Sequence, residues 1–224
     1  MTGAVPPTSR LGRRLLPTAW WSLAGAAWLV SLVVLAVLSY RLYGAHGGTG
    51  VDAGIDRRLS ARFDGHPQVL HLLIVLGSRD GVVLESLLLA AVAASRRWWR
   101  GALLGLLGPP LAAGLTELVL KPAIGVPSTF GTSFGFPSGH TTGAFGLALT
   151  ACVLLLPGPG VSVFPAVLRV LVGLAALGVA GGTGVALVAQ GFHRATDVVG
   201  GVATATLVVL AAAALLDLPA RRWS

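Results

Sequence analysis

The chain has 224 residues, 54% of them hydrophobic and only 11% charged, with a mean hydropathy of +0.82. Soluble domains carry about 25% charged residues, so the composition excludes an ordinary soluble protein and predicts one multi-span membrane bundle. The net charge of +8 does not indicate a nucleic-acid partner, because the basic residues flank apolar segments and form no stripe interleaved with aromatics.

Residues 1–17 are polar and basic, with Arg10, Arg13 and Arg14, and read as a disordered cytoplasmic tail. The apolar run 19–40 is longer than the 7–15 residues of a signal-peptide core. It predicts an uncleaved first span about 33 Å long, with Trp20 and Trp21 at the interface. A flexible glycine-containing loop, 44–50, follows. Segment 51–78 is charged around a short apolar piece, 69–76, too short to cross a bilayer, and reads as an amphipathic or interfacial helix.

The second span, 81–94, is short, carries Glu85 and ends in the basic aromatic belt Arg96-Arg97-Trp98-Trp99-Arg100. An acid inside a span is a candidate for function by default, although Glu85 also fits a place near the outer interface. The third span, 101–120, has a predicted kink at Pro109-Pro110, with Glu117 near its end and Lys121 beyond. Loop 122–136 precedes the fourth span, 140–156, which Pro157-Gly158-Pro159-Gly160 closes. The fifth and sixth spans run over 167–188 and 198–216, and no repeat is evident. Cys152 stands alone in an apolar run, so it forms no intramolecular disulfide or cysteine metal site and reads as a small core residue.

The expectation is an all-α integral membrane protein. A six-transmembrane-helix bundle occupies 18–218, with an extracytoplasmic interfacial segment between helices 1 and 2 and a second tail at 219–224. Arg10, Arg13, Arg14, Arg96, Arg97, Arg100, Arg169, Arg221 and Arg222 then share one side, with only Asp217 against them. The positive-inside rule makes that side, and both termini, cytoplasmic. Lys121, His140 and His193 fall together on the opposite face.

Two polar clusters stand where apolar runs begin. In Gly135-Phe136-Pro137-Ser138-Gly139-His140, a turn leads into a helix whose free N–H groups and dipole favour an anion, phosphate above all. In Gly191-Phe192-His193-Arg194-Ala195-Thr196-Asp197, His193 and Asp197 share one helix face. A carboxylate on one imidazole nitrogen leaves the other as nucleophile or base. Each cluster also has a plain structural reading, a tight turn in the first and a capping Asp beside an interfacial His in the second. Glu117 is spaced to pair with Lys121, whose other plain reading is snorkelling to the interface. His46, His66 and His71 read as solvated or interfacial. Two His and one Asp make too few ligands for a metal site.

On these residues the chain resembles the type-2 phosphatidic acid phosphatase superfamily of membrane lipid phosphatases, whose three blocks are K-x6-R-P, P-S-G-H and S-R-x5-H-x3-D. The resemblance implies that His193 is the nucleophile that takes the phosphoryl group, Asp197 its orienting partner, and His140 the acid that protonates the leaving group and then activates water. It implies that Lys121, Ser138 and Gly139 bind phosphate oxygens, without cofactor or metal, on a lipid phosphate substrate among membrane lipids. The chain departs from the family twice. Ser128 and Thr129 stand where the first block has Arg-Pro, and Ala186 and Leu187 where the third has Ser-Arg.

Charge-assisted hydrogen bonds are worth about 1.5–3 kcal/mol each, so losing both arginines costs about 10²–10⁴ in transition-state stabilisation unless something compensates. Arg194 is the only basic residue close enough in sequence to compensate; its alternative is to face lipid headgroups. Ser128, Thr129, Ser133, Thr141 and Gln190 are candidate neutral donors. The expected function is a membrane lipid phosphatase working through a phosphohistidine at the extracytoplasmic face. The alternative is a catalytically impaired relative that binds phospholipid headgroups or serves a partner subunit. Oligomeric state is not legible.

Overall fold

The computed structural model describes residues 14–44, 49–128, 133–155 and 165–218. Regular structure there is helical apart from an isolated bridge between Pro127 and Phe134. After a 3-10 turn at Thr18–Trp20 come α1 (Trp21–Leu42), α2 (Gly50–Phe63), α3 (Pro67–Leu76), α4 (Arg79–Ser95) and α5 (Trp99–Leu115). A π-helical turn, Thr116–Leu120, leads into α6 (Lys121–Ile124), followed by α7 (Gly139–Leu155), α8 (Ala166–Ala189) and α9 (Ala195–Asp217). Among the described residues, Thr18–Leu42, Trp99–Ile124, Ala166–Ala189 and Ala195–Asp217 are long and apolar enough to cross a membrane. With the shorter apolar helices, α3 and α7, they make the all-α membrane architecture that the composition predicts.

α7 is the hub, packed by α4, α5, α8 and α9. Its buried Gly143, Ala144, Gly146 and Ala148 let neighbouring backbones approach closely, which is how helices gain van der Waals contact where lipid removes the hydrophobic drive. Large apolar side chains point away from the bundle, among them Leu29, Val30 and Val33 on α1 and Val170, Leu171 and Leu174 on α8. α1 packs on α9, where the Trp28 indole N–H donates to Leu207 O at 3.2 Å.

Pro109 and Pro110 lie inside α5 without ending it. The ladder changes further on, where Lys121 N–H donates to Thr116 O, one residue wider than α spacing. Pro122 explains the widening, because it has no N–H and its ring crowds the carbonyl four residues back. Gly125, at φ 72°, then turns the chain out of α6.

Two expectations are corrected here. The tail is not disordered up to Pro17: Leu15 and Leu16 are buried beside Trp98, Leu104 and Ala213. Their N–H groups donate to the Asp217 carboxylate at 2.9–3.0 Å, and Arg100 lies 3.8 Å from it. Residues 51–78 are not one interfacial helix either. His66 and Pro67 divide them into α2, which packs on α8 and the start of α9, and α3, which runs along α8. His66 and His71 are exposed. His46, Thr129, the Pro157–Gly160 closure, Arg10, Arg13 and residues 219–224 lie outside the described residues.

Candidate active site

The site lies where the π turn and the starts of α4, α7 and α9 meet. Phe136, fully buried against Leu42, Ile124 and Val126, anchors the segment entering α7. From there Ser138 N–H donates to Asp197 O at 3.0 Å. α9 comes so near that a Cβ on Gly201 would lie 2.8 Å from Ser138 O and 3.0 Å from Thr141 Cβ. Only glycine permits that approach, and it brings the two polar clusters to one place.

His193 Nδ1 lies 3.4 Å from Asp197 Oδ2, which also accepts Arg194 N–H at 2.9 Å. Asp197 is buried, and its Oδ1 takes no hydrogen bond among the described residues. This arrangement leaves Nε2 as the imidazole nitrogen that does not face the carboxylate. A cleft of about 900 Å³ opens beside it, with Lys121, Glu117, Gly139, His140, His193, Ser128, Ser133 and Arg79 in its lining. Lys121 Nζ lies 2.7 Å from Glu117 Oε1. The Glu117 carboxylate also covers the start of α7, where a Cβ on Gly139 would collide with it. A carboxylate therefore sits at the dipole-favoured anion position.

Several sequence candidates take other places. Ser138 is fully buried, and its hydroxyl accepts from Thr141 N–H at 3.3 Å and Thr141 Oγ1 at 3.0 Å, so it braces α7 and does not line the cleft. Arg194 is absent from the cleft lining as well; its charge acts on the Asp56 carboxyl of α2. Gln190 ends α8 outside the cleft. Glu85 lines a separate, mostly apolar cavity of about 330 Å³ with Leu88, Leu147, Ala180 and others from α4, α7 and α8. Among the described residues, no three His, Cys, Asp or Glu side chains are grouped to hold a metal.

The sequence reading missed two contributors. Asp52 of α2 accepts Thr196 N–H at 3.0 Å and Thr196 Oγ1 at 3.2 Å, capping the helix that carries Asp197. Burial raises the Asp52 carboxyl's pKa, but hydrogen bonds from Thr49 and Thr196 outweigh that and hold it below its ordinary value. Asp56 is pushed up by burial and by the Asp52 and Asp197 charges, with Arg194 and Ala195 pulling the other way. A visible signal existed in Thr49-x-x-Asp52, a capping box. The other missed residue is Arg79, at the first position of α4, where a cation opposes the helix dipole.

The family model of the PAP2 superfamily matches residues 102–219. The fold is similar to the crystal structure of a transmembrane PAP2-type phosphatidylglycerolphosphate phosphatase from Bacillus subtilis, with a TM-score of 0.64. The two share 22% identity over 90% of this chain and 98% of that one. No curated protein matches the sequence.

Proposed function

The chain belongs to the PAP2 superfamily, and on that premise we propose that it is a membrane phosphatase hydrolysing a lipid phosphomonoester or pyrophosphate through a phosphohistidine on His193. The observation that carries the reading is the Asp197-oriented His193 sharing one cleft with His140 and Lys121. Binding an anion alone requires no His–Asp pair and no second histidine.

In the first step, His193 Nε2 attacks phosphorus in line as the bond to the leaving oxygen breaks, and His140 gives that oxygen its proton. In the second, His140 takes a proton from water, whose oxygen attacks phosphorus and releases His193 and inorganic phosphate. Asp197 stabilises the imidazolium that forms between the steps. Lys121 and the N–H groups of Gly139 and His140 receive the phosphate oxygens, the Glu117 carboxylate giving way to them. The cleft is mostly apolar beyond these groups, which suits an amphiphile whose tail stays among membrane lipids. Polyprenyl pyrophosphate, polyprenyl phosphate, phosphatidic acid and phosphatidylglycerol phosphate all fit this chemistry.

Six spans fit this reading: α1, α4, the α5–α6 rod, α7, α8 and α9. Arg96, Arg97 and Arg100 stand at the opposite end of α4 and α5 from Arg79 and Lys121. With the positive-inside rule, that supports an extracytoplasmic site in a cell-membrane protein.

A second reading, a headgroup binder without turnover, is favoured by the Lys121–Glu117 pair, which already neutralises one cation. The deciding experiment is phosphate release by the detergent-purified full chain with EDTA present, beside His193→Ala. Release that the variant lacks supports the phosphatase. No release from any of the four lipid classes by folded protein leaves the binder.

A further inference from the structure

Arg79 lines the same cleft as Lys121, His140 and His193, although it comes from a different part of the chain than the family's arginines. Arg79 is exposed, and the turn that carries it is held from several sides. A Cβ on Gly77 would lie 2.6 Å from Thr183 Cγ2 and 3.1 Å from His140 O, so the α3–α4 turn rests directly on the backbone of His140. Thr183 Oγ1 donates to Leu73 O at 2.9 Å, and Ser78 Oγ accepts Gly81 N–H at 3.3 Å.

Two further facts set Arg79 apart. It begins α4, where an acid would stabilise the helix and a cation does not, so helix stability does not account for it. Lys121 is already paired with Glu117, whereas the Arg79 side chain makes no ion pair or hydrogen bond among the described residues. A phosphate dianion calls for more positive charge than one neutralised lysine supplies, and a guanidinium presents the planar donor fork that matches it.

We infer that Arg79 is the guanidinium that binds the substrate phosphate in this chain, delivering from the α3–α4 turn what the two absent motif arginines would otherwise supply. The inference rests on the phosphatase reading, deepens it, and identifies the ligand as a phosphomonoester or terminal pyrophosphate group. Bulk anionic lipid offers similar chemistry, so the test includes an arm without lipid.

Phosphate release from polyprenyl pyrophosphate, polyprenyl phosphate, phosphatidic acid and phosphatidylglycerol phosphate in neutral detergent with EDTA is measured for the wild-type chain, Arg79→Gln, Arg79→Lys and Arg96→Ala. Binding of inorganic phosphate, without lipid, is measured by titration calorimetry on the same proteins. Arg79→Gln is expected to lower kcat/KM and weaken phosphate binding, each by about 10–100-fold. Lysine should restore part of the loss, and Arg96→Ala should change neither. An active wild type with an unaffected Arg79→Gln overturns the inference and leaves the phosphatase standing. A wild type that releases nothing overturns the phosphatase, and phosphate binding then decides: weakening in Arg79→Gln retains Arg79 as the anion ligand, while unchanged binding removes it.

Discussion

Ser138 N–H donates to the backbone carbonyl of Asp197 at 3.0 Å, so one main-chain bond joins the turn entering α7 to the first turn of α9. His140 and His193 thus stand on two helix starts that cannot move apart without breaking it.

Asp197→Asn is expected to keep that carbonyl, and so the fold, but to lose the charge that orients His193. Phosphate release should fall about 10²–10⁴-fold with little change in the thermal midpoint. A parallel collapse of activity and midpoint would show Asp197 to be structural.

Gly201→Ala drives a methyl group against Ser138 O, Thr141 Cβ and Thr142 N, all within 3.2 Å. None of these is the movable end of a side chain. The expected cost is about 1–3 kcal/mol of stability, with a matching loss of turnover, read by thermal unfolding in detergent and by phosphate release.

Glu117→Gln frees Lys121 and removes a negative charge from the start of α7. The KM for a lipid phosphate should drop about 3–10-fold, the scale of one partly solvated charge interaction. A raised KM would mean that Glu117 positions Lys121 and does not compete with substrate.

The Asp52 cap is expected to depend on pH. Its folded-state pKa is depressed, so its contribution to stability is present above the unfolded value, about 3.9, and is lost as pH falls through the lower folded value. Asp52→Asn should therefore lower the thermal midpoint at pH 7 and make little difference at the acidic end of that range. An equal gap at both ends would mean that the carboxylate's charge is not what Thr196 responds to.

His140, His193 and Asp197 were legible as residue types because each belongs to a short local pattern at the start of an apolar run, but His193 precedes α9 and meets Asp197 across the extended N-cap Arg194, not along a shared helix face. Hydropathy marked the long helices for the same local reason. Ser138 shows the limit: its residue type was legible, but the direction of its hydroxyl depends on Thr141 and on the packing of α9 against the turn. Arg79 was hidden because its relation to His140 passes through Gly77 in the α3–α4 turn and Thr183 on α8. Asp52 was hidden because its partner, Thr196, is far along the chain. Leu15 and Leu16 looked like the end of a polar tail because nothing local shows that Asp217 is buried above them.

That last contact carries a consequence for biosynthesis. The carboxylate that receives Leu15 N–H and Leu16 N–H belongs to the final residue of α9. During synthesis the first of these segments leaves the ribosome long before the second, so the latch closes only after every intervening helix has been inserted. A chain cut short before Asp217 would leave Leu15 N–H and Leu16 N–H without this carboxylate.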